Sequence, residues 1–221
     1  MWRKGIGTAA QVAAGVLLLV SGWGWRGAAG FLANPARAGL LGLAALGAGC
    51  AVIGRIEMQP LRKGLLPTGR QGWWLGLLLA FSLVLLLFLP YADRHSLWVW
   101  RAAWPRYAGL ALCAVGGLVR LAALRQLGPQ FSAYVTLQPG HALVQEGIYG
   151  SIRHPLYLSL LLVPTGTAMV FASWLALPIF AASVIFVADR IGQEERLLAE
   201  TFGAEFRAYQ KRTKMLLPGV W

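Results

Sequence analysis

Residues 141–157 read HALVQEGIYGSIRHPLY, and residues 158–170 that follow read LSLLLVPTGTAMV. A polar segment that runs straight into a membrane-length apolar helix sits at a water–lipid boundary. The polar half holds two of the chain's three histidines, His141 and His154, together with Glu146, Tyr149, Arg153 and Tyr157. Pro155 suits the first turn of a helix, where its missing N–H has no partner to lose. That puts His154 at the N-cap and Arg153 just before it. The unpaired backbone N–H groups of such a helix start favour a carboxylate or a phosphate. The same residues serve equally as an interfacial anchor, with Pro155 only starting the helix, and local physics leaves both readings open.

The rest of the chain fits a membrane setting. Its 221 residues suit one domain, 57% are hydrophobic and only 13% charged. Soluble domains carry roughly 25% charged residues. The mean hydropathy is +0.60. Ten tryptophans fit interfacial belts. The net charge of +12 comes from residues in the gaps between apolar runs, which is the pattern of membrane topology and argues against nucleic acid as a partner. Cys50 and Cys113 lie far apart within apolar runs and read as small core residues. The histidines are too scattered for a metal site, and none is expected. The opening MWRKGIGTAAQVAAGVLLLV has a basic head and an apolar body like a signal peptide but no clean small-x-small cleavage site; it reads as a retained first span.

Candidate spans are Ile6–Gly24, Ala38–Ile56, Trp73–Leu89, Tyr107–Leu124, Leu156–Phe171 and Trp174–Ala188. The last two form a tight hairpin broken at Ala172 and Ser173. Both are short and carry Pro164 or Pro178, so five spans and six are both open. Glycines at 39, 42, 47 and 49 and at 109, 116 and 117 predict close helix packing. With six spans and an inner N-terminus, fifteen Lys/Arg fall inside and five outside. That bias places the 125–155 loop and both termini in the cytoplasm. After Asp189 the chain changes character. Leu197, Leu198, Thr201 and Phe202 share a face, and the pattern predicts an amphipathic helix continuing from the last span and breaking near Gly203. Arg190 and Glu194 are four apart, on one face at the span's inner end, where ionisable groups are commonly functional. Glu195, Glu200 and Glu205 also fit a solvated face. The fold expected is an all-α integral membrane protein of five to six transmembrane helices with a C-terminal cytoplasmic amphipathic helix.

Two motifs then resemble a known family. His141, Leu143, Val144, Gly147, Tyr149, Arg153, His154, Pro155 and Tyr157 form a run similar to that of isoprenylcysteine carboxyl methyltransferases and their bacterial relatives. So do Arg190, Glu194, Glu195, Leu198, Phe202, Gly203, Glu205, Phe206, Tyr209, Arg212, Leu217 and Pro218 in the tail. Phospholipid methyltransferases share a related layout. The resemblance covers about the last 90 residues. It divides the single membrane domain 1–221 into N-terminal helices (1–125) and a methyltransferase core (126–221). It implies S-adenosylmethionine as cofactor, held beneath the tail by His141, Ala142, Leu143, Val144, Tyr149, His154, Pro155, Leu156 and Tyr157, with Glu194 completing the pocket. Thr136 is the nearest match to a further polar cofactor contact, at a different spacing. Arg190 falls on the family's substrate-binding arginine, and Arg153 stands beside it as a second substrate contact. The acceptor implied is a lipophilic or lipidated molecule among membrane lipids, and the place a bacterial inner membrane.

The chemistry of the residues is compatible with that implication. Methyl transfer from a sulfonium needs alignment more than acid–base help. An ammonium calls for a carboxylate such as Glu194, a carboxylate acceptor for a guanidinium such as Arg190, and an amine acceptor for a base such as Glu195 or His154. A membrane reductase using NADPH, of the sterol reductase type, is the alternative. Its Arg-His motif usually has Asn before the Tyr, and here that position is Leu156.

Overall fold

The computed structural model describes residues 3–54, 76–77, 80–128 and 142–217, with side chains from residue 10 onward. Thr136, His141 and Pro218, and most of the expected Trp73–Leu89 span, lie outside these residues. Seven α-helices are followed here: α1 Arg3–Trp23, α2 Ala28–Leu32, α3 Pro35–Ile53, α4 Leu89–Arg94, α5 Trp104–Leu127, α6 Pro155–Val170 and α7 Ala176–Arg212. Among the described residues, extended pairing is limited to two isolated bridges, Val99 with Ser173 and Ile152 with Lys214.

The helix boundaries follow local chemistry. The Asn34 side chain caps α3 by accepting from the N–H groups of Ala36 and Arg37 at 3.1 and 3.3 Å, and Pro35 opens the helix. A π-helical turn, Val84–Phe88, runs into α4 just before Pro90. The wider turn accommodates a residue that cannot donate to the preceding turn. Pro164 lies inside α6 without ending it, and Pro178 falls in the first turn of α7, where its missing N–H costs nothing.

Three helices are long and apolar enough to cross a membrane by themselves: α3, α5 and α7. The bent pair Ala10–Trp23 and Trp25–Leu32, 85° apart, raises the number to four. Among the described residues this is fewer than the five to six expected. One reason is α6, whose 16 residues span about 24 Å, short of a hydrocarbon core of about 30 Å. The other is the expected third span, of which only the end is described.

Helix α6 is held between α5 and α7. A Cβ on Gly109 would come within 2.5 Å of the Gly166 carbonyl oxygen, and one on Gly166 within 2.7 Å of the Gly109 oxygen. The two backbones therefore touch, and only glycine fits at either position. Gly116 meets Val163 and Leu162 in the same way, whereas Gly42, Gly47, Gly49 and Gly117 face open space. The larger apolar core, with Phe31, Leu89, Val170 and Phe171, gathers at the hairpin-turn end of α6. A small cluster of Ala51, Leu121, Leu124 and Leu156 closes the other end. The polar segment 142–154 and the last part of α7 meet there.

Candidate active site

His154 is the N-cap of α6, with no side chain capping the helix start. Its ring is buried and lies 3.0 Å, Nε2 to Oε1, from Glu195. Arg153 donates through Nε to the same Glu195 oxygen at 2.9 Å and through Nη1 to the carbonyls of Gln210 at 3.1 Å and Thr213 at 2.6 Å. Gln210 donates to the second Glu195 oxygen at 3.0 Å. Backbone bonds carry the joint further. Arg153 N–H donates to Lys214 at 2.7 Å, His154 N–H to Met215 at 3.1 Å and Lys214 N–H to Ser151 at 3.1 Å. The Tyr209 hydroxyl, buried, donates to the Tyr149 carbonyl at 2.7 Å. The two sequence motifs thus fold into one unit.

Glu195 lies beyond the apolar part of α7. Its half-burial raises the carboxyl, but hydrogen bonds from His154 and Arg153, with their charges, outweigh this and bring it down to about 2. A carboxylate so held is a poor proton acceptor, and its two oxygens already have three donors. Glu195, the carboxylate expected as a base, thus stands at the centre of the joint, with the His154 ring engaged in the same cluster. Burial pushes the Tyr149 hydroxyl far above its ordinary range, and the charge of Glu194 adds to this.

One turn from that joint, the Glu194 and Arg190 side chains lie close enough to the Tyr157 hydroxyl to interact with it. Arg190 is itself buried, 8% exposed, which is unusual for a cation unless it is paired. Tyr149, His154, Tyr157, Arg190, Glu194 and Glu195 therefore come together at one end of the α6–α7 hairpin. Leu143 and Val144 are half-buried and Ala142 exposed on the strand-like approach to the Gly147–Gly150 turn. Gly147 has φ +58°, and a Cβ there would collide with the Gln126 amide at 2.3 Å. The glycine of the motif thus serves a left-handed turn packed on the end of α5. Pro155 starts α6, and the Leu156 side chain turns into the apolar cluster with Leu124. Glu200 is exposed, away from the joint, and His95 is exposed at the other end of the molecule, its ring 4.4 Å from that of Tyr91. Among the described residues no group of three or more His, Cys, Asp or Glu could hold a metal ion.

Arg120 is a residue that the sequence reading counted only as topological charge. It continues the face of α5 that carries Gly109, Cys113 and Gly116 against α6. Among the described residues no carboxylate pairs with it. The signal was present: a lone arginine inside the apolar run Tyr107–Leu124 is a functional candidate by its position alone.

Residues 109–200 match the isoprenylcysteine carboxyl methyltransferase family. The chain is 30% identical over 120 residues to a protein-S-isoprenylcysteine O-methyltransferase of Tribolium castaneum, covering 53% of this chain and 43% of that one. It is 30% identical over 138 residues to protein-S-isoprenylcysteine O-methyltransferase B of Arabidopsis thaliana, covering 61% and 66%. Against the Saccharomyces cerevisiae protein-S-isoprenylcysteine O-methyltransferase the identity is 34% over 115 residues, covering 51% and 48%. The matches thus span about two fifths to two thirds of these relatives' length. In fold, the chain is similar to a eukaryotic intramembrane Ras methyltransferase, an isoprenylcysteine carboxyl methyltransferase, with a TM-score of 0.59 at 20% identity, over 96% of this chain and 75% of that one.

Proposed function

We propose that the chain, whose residues 109–200 match the isoprenylcysteine carboxyl methyltransferase family, is a methyltransferase of that family and methylates the carboxylate of a lipophilic, isoprenylcysteine-like acceptor at the cytoplasmic membrane face, with S-adenosylmethionine as donor. The observation that carries this reading is the joining of Arg153, His154 and Tyr157 to Arg190, Glu194 and Glu195 at the membrane-entry end of one hairpin.

The residues present fit the cofactor. The uncapped start of α6 offers N–H donors at Leu156 and Tyr157 for its carboxylate. Glu194 offers a carboxylate for its ammonium. Ala142, Leu143, Val144 and Tyr149 line the approach, and His154 and Pro155 set the helix start. Bound there, the cofactor supplies a methyl group carried on a sulfonium. Arg190 orients the acceptor, and Arg120 offers a second cation between α5 and α6. Tyr157 touches both Arg190 and Glu194, so it couples the acceptor side to the cofactor side. Arg153 belongs to the joint with Glu195, and its assignment to the substrate gives way to fastening the tail.

A carboxylate acceptor needs no proton removed before transfer, whereas an amine does. Glu195, held down by Arg153 and His154, favours the carboxylate. The membrane reductase reading gains no support from the three relatives described above, each named as an O-methyltransferase. The test is ligand protection. S-adenosylmethionine should raise the thermal midpoint of the purified chain and NADPH should not. His154→Ala and Glu194→Ala should weaken cofactor binding by calorimetry. Protection by NADPH alone, or unchanged cofactor affinity in both variants, would overturn the proposal.

A further inference from the structure

We propose that the tail segment beyond Gly203 carries a docking surface for anionic lipid headgroups, formed by Arg207, Lys211 and Lys214. The argument begins with the break. Gly203 has φ +50° and ψ −114° inside α7, so the chain changes direction there. From Ala188 to Gly203 the helix advances about 22 Å, which would carry the tail away from the bilayer. The segment that follows returns. Its far end pairs with Ile152 through Lys214, and the Lys214 carbonyl accepts the Arg153 N–H at 2.7 Å. Residue 214 is thereby fixed beside the point where α6 begins its apolar run, at headgroup level.

The face that the segment presents is set by its burial. Phe206, Tyr209 and Thr213 are buried at 0%, 3% and 5% exposure and point inward. Arg207 and Lys211, four apart, share the exposed side, and Lys214 is exposed at its end. The nearby acidic groups are engaged elsewhere: Glu195 with Arg153, His154 and Gln210, and Glu205 with Gln145. Arg212 is excluded from the surface because it donates to Gln145. Three cations without a carboxylate partner among the described residues, held at the water–lipid boundary, fit an anionic bilayer surface. Each contributes roughly a fivefold gain in local binding. Because the same segment supplies Tyr209, Gln210 and Thr213 to the joint, lipid charge would steady the cover of the site.

Hydrogen exchange of the tail peptides in the full reconstituted chain tests this without reference to methyl transfer. In phosphatidylcholine vesicles containing phosphatidylglycerol, exchange over 204–214 should be about tenfold or more slower than in pure phosphatidylcholine, and high salt should abolish the difference. The triple variant Arg207→Gln, Lys211→Gln, Lys214→Gln should lose the lipid effect, while Lys211→Arg with Lys214→Arg should keep it. Equal exchange in both vesicles, or a lipid effect insensitive to salt, overturns the proposal. So does slowing by inorganic phosphate in neutral vesicles, which would mark a small-anion site instead of a lipid surface.

Discussion

The α6–α7 hairpin is pinned at each end by a carboxylate between two basic side chains, and the two clusters differ in what they leave over. At the turn end, Asp93 is bound by Arg37 at 2.7 Å and by Arg106 at 2.6 Å, with its side chain 3% exposed. The other hydrogen bonds of this cluster go to carbonyls of the surrounding backbone. Arg37 donates to the carbonyls of Phe31 and Gly30 and lies over the Trp23 ring, and Arg106 donates to the carbonyl of Val170. At the motif end, Glu195 is 18% exposed between Arg153 and His154, and Arg190, Glu194 and an uncapped helix start lie beside it. Charge burial alone does not mark a site. A cluster whose polar groups are all spent on one another is a fastening, and one surrounded by further oriented polar groups can take a ligand.

That contrast can be broken first at Asp93. Asp93→Ala leaves one buried and one partly buried guanidinium group without their carboxylate, and it should cost about 3–5 kcal/mol of stability, read as lost thermal stability and yield. If Asp93→Ala melts like wild type, the turn end is not a fastening. Next is Arg190→Lys, in which an ammonium replaces a planar fork. Loss of a buried charged contact of about 2–5 kcal/mol predicts a fall of about thirtyfold or more in acceptor kcat/KM with cofactor affinity little changed. Full activity in the lysine variant would reduce Arg190 to a partner of Tyr157. Third is acid. The folded carboxyl of Glu195 lies at about 2, below its ordinary value of 4.5. Its ionisation therefore stabilises the joint fully above about pH 5, and that contribution is lost as pH falls towards 2. Tail exchange in wild type should rise across that window and stay flat in Glu195→Gln; parallel curves would deny the linkage. The smallest effect is expected for Glu200→Ala, on the exposed face, which should leave cofactor affinity as it is.

The motif end was legible because its residues are close in sequence or fall in two short runs, 141–157 and 190–217, each with a recognisable spacing. The turn end was not, because Arg37, Asp93 and Arg106 are scattered over three segments and each reads alone as a loop charge. Arg190, Glu194 and His154 were singled out by position at helix ends, and the structure brings them to one end of the hairpin. The ties of Glu195 to Arg153, His154 and Gln210 were not legible, because helical spacing shows which residues share a face but not which donors a carboxylate meets. Arg120 was missed because it was assigned to topology. The described residues hold three to four candidate spans against the five to six expected, because most of the Trp73–Leu89 span lies outside them and the helix Pro155–Val170 is short for a span.

The most direct test is transfer of labelled methyl from S-adenosylmethionine to a farnesylated cysteine acceptor by the purified, reconstituted chain. The account predicts incorporation into an ester, released as labelled methanol by mild alkali, and its loss in Glu194→Ala. Label that survives alkali on nitrogen or sulfur, or no transfer to the acceptor at all, would contradict it.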